Sequence, residues 1–130
     1  MDADAGTVAV GEPIGRPRVV TLWGSWCPPC GKELPAFVAF SRRAGDRVQV
    51  VGVDTADDAV NAVAAARDLG VAFPNVYDRR SKVQRALGVV ALPATAFLDR
   101  DGRLVHLHTG TPLDEAMLTR LAEKHLGVVL

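Results

Sequence analysis

A β-branched and apolar run, Arg18-Val-Val-Thr-Leu-Trp23, is bounded by Pro17 and Gly24, and Cys27-Pro-Pro-Cys30 follows at once. The run reads as a buried strand. Pro is well tolerated in a first helical turn, where its missing N–H would have no partner anyway, so a helix is expected to open at Cys27–Pro29. Leu34, Phe37, Val38 and Phe40 continue it at roughly helical spacing. Pro35 lies inside this pattern, lacks a backbone donor and is expected to kink the helix. A strand that hands over to a helix in this way narrows the possible folds. The next strand is expected to lie parallel to the first, through a right-handed crossover.

Arg47–Val53 reads as that second buried strand. Asp57 or Asp58 is placed to cap the following helix, which runs to about Leu69 with Val60, Val63, Ala64 and Leu69 inward. Gly70 ends it. Val71–Tyr77 is short and extended, and Ser81–Leu87 is a short helix that stops at Gly88. Pro93 precedes a third strand, Ala94–Leu98. Asp101-Gly102 is a hairpin signal leading into a fourth, antiparallel strand, Leu104–His108. Pro112 sits near the start of a last amphipathic helix, with Leu113, Met117, Leu118, Leu121 and Leu126 toward the core. Met1–Arg16, rich in Gly, Pro and Asp, reads as a lead-in in which Thr7–Val10 can supply a short edge strand. Residues 17–130 then form one α/β domain, a central mixed β-sheet flanked by helices on both faces.

Composition removes several function classes. Fifteen Lys and Arg balance fifteen Asp and Glu, with no basic stripe for phosphates, so nucleic acid is not an expected partner. No segment approaches the roughly 18 apolar residues of a membrane span. Met1–Gly6 is acidic and small, without the basic and apolar regions of a signal peptide. Either the protein works in the cytoplasm, or a targeting segment is absent from this chain.

Cys27 and Cys30 are the only cysteines of the 130 residues. The thiolate is the nucleophile in disulfide exchange, whereas an ordinary Cys is mostly protonated at neutral pH. Unpaired N–H groups and the dipole at a helix N-terminus favour negative charge. Cys27 is therefore expected to have a lowered pKa and to attack first. Cys30, about one turn on, can reach a mixed disulfide on Cys27 and resolve it. Pro28 and Pro29 stiffen the small ring that the pair closes. Two blander readings stand beside this one. The pair supplies half of a structural zinc site, for which His106, His108 and His125 are candidate ligands, though none has finger-like spacing. A purely structural disulfide closing so short a loop would remove little chain entropy.

Three stretches together carry a family resemblance: Pro17-Arg-Val-Val-Thr-Leu-Trp-Gly-Ser-Trp-Cys-Pro-Pro-Cys-Gly-Lys-Glu-Leu-Pro35, Val50-Val-Gly-Val-Asp54, and Leu92-Pro-Ala-Thr-Ala-Phe-Leu-Asp-Arg-Asp-Gly102. The chain resembles the thioredoxin superfamily, in particular its TlpA/ResA-like branch of thiol–disulfide reductases, from about Pro17 to the last helix. The resemblance implies the thioredoxin fold and a cis peptide at Leu92–Pro93 beside the cysteines. That peptide exposes the backbone preceding Pro93 to an extended partner chain. It also implies a functional acid at Glu33, which accepts a proton from the Cys30 thiol or raises thiol pKa values. The alternative for Glu33 is a solvated side chain in an early helical turn. Trp26 is expected in an exposed apolar rim that receives partners, and Trp23 at the end of the first strand.

On the same grounds the protein is expected to reduce disulfides of partner proteins, with Cys27, Cys30 and Glu33 catalytic and Trp26, Pro28, Pro29, Leu92 and Pro93 binding the substrate. No metal and no cofactor beyond the Cys27–Cys30 pair are expected. A monomer is expected, working outside the cytoplasm with a membrane electron donor, as in cytochrome maturation. The same fold also supports a disulfide oxidase or isomerase, or a redox-sensing module that binds without turnover. Three departures qualify the resemblance. Thr21 stands where thioredoxins proper carry a buried Asp, Ala91 replaces a usual glycine, and the family's N-terminal hairpin has little counterpart beyond Thr7–Val10.

Overall fold

A computed structural model describes residues 10–130, and of Ala59 the backbone alone. The first strand, β1 (Arg18–Trp23), is buried along its whole length. Its β-branched run suits a strand covered on both faces. On one side β1 pairs parallel with β2 (Gln49–Thr55), and on the other antiparallel with β4 (Ala94–Leu98). Edge strands β3 (Asn75–Asp78) and β5 (Leu104–Thr109) complete the order β3-β2-β1-β4-β5 among the described residues. The helices are α1 (Pro28–Ala44), α2 (Ala59–Asp68), α3 (Lys82–Ala86) and α4 (Glu115–Leu126).

Strand alternation divides the core in two. Val19, Trp23 and Phe97 face one cluster with Leu34, Phe37 and Phe40 of α1, Ala62 of α2, and Leu118 and Ala122 of α4. Val20, Leu22, Val51, Val53, Ala96 and Leu98 face the other, with Val83 of α3. The mixed sheet therefore carries helices on both faces, as the sequence implies.

Local chemistry explains the differences from the sequence reading. The second strand begins at Gln49, because Arg47 instead donates from its guanidinium to the carbonyls of Arg43, Ala44 and Val129. It runs on through Asp54 and Thr55. Asp58, not Asp57, caps α2 by accepting from the Val60 and Asn61 N–H groups. Val60, Val63 and Ala64 face outward, and Ala62, Ala65, Ala66 and Leu69 lie against the core. Apolar residues fill nearly every position of this helix, so periodicity alone does not pick its inner face. Of the extended Val71–Tyr77 stretch, only the end joins the sheet, as a fifth strand that pairs parallel with β2. Val10 lies in a helical turn rather than a strand, and the rest of Thr7–Val10 falls outside the described residues.

Two turns need their glycines. Gly102 adopts φ +82° in the hairpin between β4 and β5, where the Asp99 carboxylate accepts from the Asp101 and Arg103 N–H groups. Gly70 adopts φ +68° just past the end of α2.

Phe37 is fully buried between α1 and the sheet. Truncating it leaves a cavity that rigid neighbours fill only in part, so Phe37→Ala is expected to cost about 3–5 kcal/mol. Urea unfolding of the oxidised protein checks this; a loss below about 1 kcal/mol would show that the α1 interface relaxes freely.

Candidate functional site

The carboxyl ends of β1 and β2 open toward the mouth of α1. Gly24 leaves β1 and permits a tight fold-back: a Cβ there would come within 2.7 Å of the Trp26 ring. The Cys27 N–H then donates to the Gly24 carbonyl at 3.1 Å. Cys27 takes the N-cap position in extended conformation, Pro28 and Pro29 fill the first helical turn, and that turn carries no acidic side chain. The Cys27 carbonyl accepts from the Cys30 and Gly31 N–H groups, so the helix starts at the first cysteine. Cys27 and Cys30 form a disulfide with their Cα atoms 5.3 Å apart.

Exposure is graded across the pair. Cys27 is 6% exposed and Cys30 1%, while Pro28 and Pro29 are exposed around them. Trp26 stands 54% exposed, and its indole N–H donates to the Thr55 carbonyl at 3.1 Å. Trp23 is buried at the strand end, with its indole N–H on the Asn75 side-chain oxygen. Leu92–Pro93 is a cis peptide. Ala94, the next residue, pairs with Leu22, so β4 delivers Pro93 to the sheet end from which the cysteine loop departs. Pro93 is buried, and Leu92 packs against the cluster that holds both cysteines.

Glu33 is not a solvated side chain. It is 2% exposed, and one carboxylate oxygen accepts the Leu113 N–H at 2.7 Å, tying α1 to the segment before α4. Burial pushes its carboxyl up to about 7, against the pull of the Leu113 N–H and the Thr21 hydroxyl. Thr21 cannot itself act as a base, and its buried hydroxyl lies near the Glu33 carboxyl. A carboxyl balanced near neutral pH, one turn past Cys30, suits proton transfer in either direction.

The histidines do not converge on the cysteines. His106 stacks on His125 with ring centroids 4.0 Å apart and planes within 4°. The His108 Nε2 lies 2.8 Å from the Thr111 carbonyl. Among the described residues, no group of three or more His, Cys, Asp or Glu side chains is placed to hold a metal.

Sequence reasoning missed a second pair of acids. Asp54 is the last residue but one of β2 and fully buried, and Asp57 follows in the loop to α2. The Asp57 carboxylate accepts from both the N–H and the hydroxyl of Ser25, each at 2.6 Å, directly beside the cysteine motif. A carboxyl closing the apolar run Val50–Val53 was the available signal.

The chain is similar to known proteins in sequence and in fold. The Redoxin family model matches residues 1–123. The thiol-disulfide oxidoreductase ResA of Geobacillus thermodenitrificans (strain NG80-2) is 32% identical over 104 residues, covering 78% of this chain and 59% of the relative. The thiol:disulfide interchange protein DsbE homolog of Paracoccus denitrificans (strain Pd 1222) is 35% identical over 104 residues, covering 79% and 56%. The structure of MTB dsbF in its mixed oxidised and reduced forms superposes with a TM-score of 0.75 at 29% identity, covering 82% of this chain and 78% of that one. This chain thus spans under two thirds of the length of those two curated relatives.

The raised carboxyl of Glu33 has a signature in stability. Unfolded, it releases its proton near the ordinary 4.5; folded, it holds the proton up to about 7. Between those values the folded state binds the extra proton, so this group's contribution to stability falls as pH rises through the window. Glu33→Gln is expected to make the fall shallower over that range. Urea unfolding across the window checks it, and an unchanged slope would mean that Glu33 ionises as freely as in water.

Proposed function

The chain belongs to the Redoxin family, with a thioredoxin fold and a TlpA/ResA-like sequence, and from that premise we propose that it is a thiol–disulfide oxidoreductase that reduces disulfides in partner proteins. One observation carries the reading: Cys27 sits at the N-cap of α1, with Cys30 bonded to it one turn down.

In the reduced form the Cys27 thiolate attacks one sulfur of the partner's disulfide. The partner's S–S bond breaks, a Cys27–partner disulfide forms, and the partner's first sulfur leaves as a thiolate that takes up a proton. Glu33, as carboxylate, accepts the Cys30 proton. The Cys30 thiolate then attacks the Cys27 sulfur, closing the Cys27–Cys30 disulfide and releasing the partner's second thiol. Two electrons pass to the partner, and a separate dithiol donor must restore the pair. Stabilisation of the thiolate by the helix mouth, strongest for Cys27, sets the order of attack.

The exposed Trp26, Pro28 and Pro29, together with the backbone before Pro93, offer the surface on which an extended substrate segment lies. Names among the relatives, ResA and DsbE, support a role in disulfide traffic of that type. We extend the resemblance to an extracytoplasmic location, a membrane electron donor and service to cytochrome maturation. Among the described residues no helix is long and apolar enough to cross a membrane.

Cys27→Ala is expected to abolish disulfide exchange, whereas Cys30→Ala should accumulate mixed disulfides with the physiological partners. Non-reducing electrophoresis and mass spectrometry of adducts from cells carrying Cys30→Ala check this, and recovery of no adduct would count against the mechanism. Direction is read from the reduction potential. A value near about −270 mV, as in thioredoxin, fits a reductase, and one near about −120 mV, as in DsbA, would reverse the assignment.

A further inference from the structure

Asp54 is the least expected group in the molecule. It is 0% exposed, at the end of β2, directly across from Trp23 in the β1–β2 register. Neither of its carboxyl oxygens has an N–H or O–H donor among the described residues. The group that acts on it most strongly is another carboxyl, that of Asp57, three residues further along the chain. Two acid groups bond to each other only with a proton between them, because two bare carboxylates repel.

The environments of the two acids decide which one keeps that proton. Burial, and then Asp57 itself, push Asp54 up to about 9. Burial also raises Asp57, but bonds from Asp54, the Ser25 hydroxyl, and the Ser25 and Asp58 N–H groups outweigh it and hold Asp57 below the usual carboxylate range. At neutral pH the buried acid is the donor and Asp57 the acceptor.

Asp57 in turn fixes the loop that leads to the nucleophile. Its two carboxylate oxygens accept from Ser25 N–H and Oγ, and one also takes the Asp58 N–H at 2.8 Å. Its backbone is pinned separately, by the Tyr77 hydroxyl donating to its carbonyl. Ser25 is two residues before Cys27, and Trp26 between them is held on the Thr55 carbonyl. Among the described residues the ionisable groups beside the pair include Asp58 at the α2 cap, Tyr77 of β3, and Arg67 of α2, which lines with Asp54 a cavity of 270 Å³.

We propose that Asp57, backed by the buried Asp54, is the positioning device for Cys27: one proton shared between the two carboxyls keeps Asp57 aimed at Ser25 and so fixes the loop that sets the cysteine at the mouth of α1. Asp54 and Asp57 touch neither sulfur and take no part in the exchange itself. The inference rests on the disulfide-exchange reading for its kinetic arm and is independent of it for its spectroscopic arm.

The test has two arms, each on the full chain. In the first, steady-state rates of disulfide reduction at neutral pH are compared for wild type, Asp57→Asn and Asp57→Ala. Both variants remove the charge, but only Asn keeps an oxygen for Ser25. Position therefore predicts that Asp57→Ala falls about tenfold and that Asp57→Asn recovers most of the loss, whereas a pure charge effect moves both equally. Equal rates in the two variants would overturn the proposal. If Asp57→Ala does not fold, Ser25→Ala replaces it, with a smaller loss expected because the backbone N–H bond survives; a wild-type rate would overturn the proposal.

In the second arm, the Ser25 amide and Trp26 indole proton shifts are followed by NMR as the oxidised protein is titrated upward from neutral pH. Both are expected to move together through one alkaline step, near the value of about 9 at which Asp54 ionises. Asp54→Asn, which donates permanently and cannot ionise, is expected to abolish that step. Persistence of the step in Asp54→Asn, or its absence in wild type, would overturn the proposal. Absence of disulfide reduction by the wild type would instead sink the functional reading and leave this arm intact.

Discussion

The parallel register of β1 against β2, carried through α1, is the constraint on which the rest depends. It forces α1 back across the sheet and leaves its N-terminus at the carboxyl ends of the two strands. In open α/β sheets this end is where chemistry is done, because loops and helix mouths converge there. Here the consequence is specific: Cys27 is the residue at which strand geometry has ended and helical hydrogen bonding begins. With prolines at its first two positions and the Cys30 and Gly31 N–H groups already on the Cys27 carbonyl, the helix acts on that sulfur through the positive end of its dipole. β4, running antiparallel on the other flank of β1, brings the cis Leu92–Pro93 peptide to the same end.

Around that mouth the protein keeps carboxyl groups out of water at a cost in folding free energy. Glu33 and Asp54 lie on the same face of the sheet, the first behind Cys30 and the second behind the loop that precedes Cys27. Burial raises both. A core built only for stability would carry apolar side chains at these positions, since a buried acid weakens the fold increasingly as pH rises from its unfolded to its folded pKa, and fully above it. Glu33 is balanced where a proton acceptor is useful, and its bond to the Leu113 N–H locks the helix to the segment before α4. Burial and the neighbouring Asp57 both favour the protonated form of Asp54.

Much of this was legible in the residues because local rules agree there. The β1 run, the Cys-Pro-Pro-Cys turn, the Asp101-Gly102 hairpin and the final helix each announce themselves by one mechanism, and the structure follows them closely. Four features were harder to read. In α2 the sequence Ala-Val-Asn-Ala-Val-Ala-Ala-Ala is apolar almost all round, so its pattern does not mark the inward side. Edge strand β3 is short and only half-buried, and its membership of the sheet rests on pairing with β2 rather than on any pattern of its own. Glu33 could be placed on its helix face from spacing, but its burial depends on Leu113, eighty residues away. The Asp57–Ser25 contact joins two loops 32 residues apart, and nothing in local sequence links them.

One sulfur, that of Cys27, starts the exchange, and its titration reads the helix mouth without an intermediary. With the protein fully reduced, the rate of Cys27 alkylation by iodoacetamide is measured against pH, with modified residues assigned by mass spectrometry. The account predicts that Cys27 reacts first, with a midpoint well below the value of about 8.5 for an ordinary thiol, while Cys30 reacts slowly. A Cys27 that is inert at neutral pH and titrates at or above that ordinary value would contradict it.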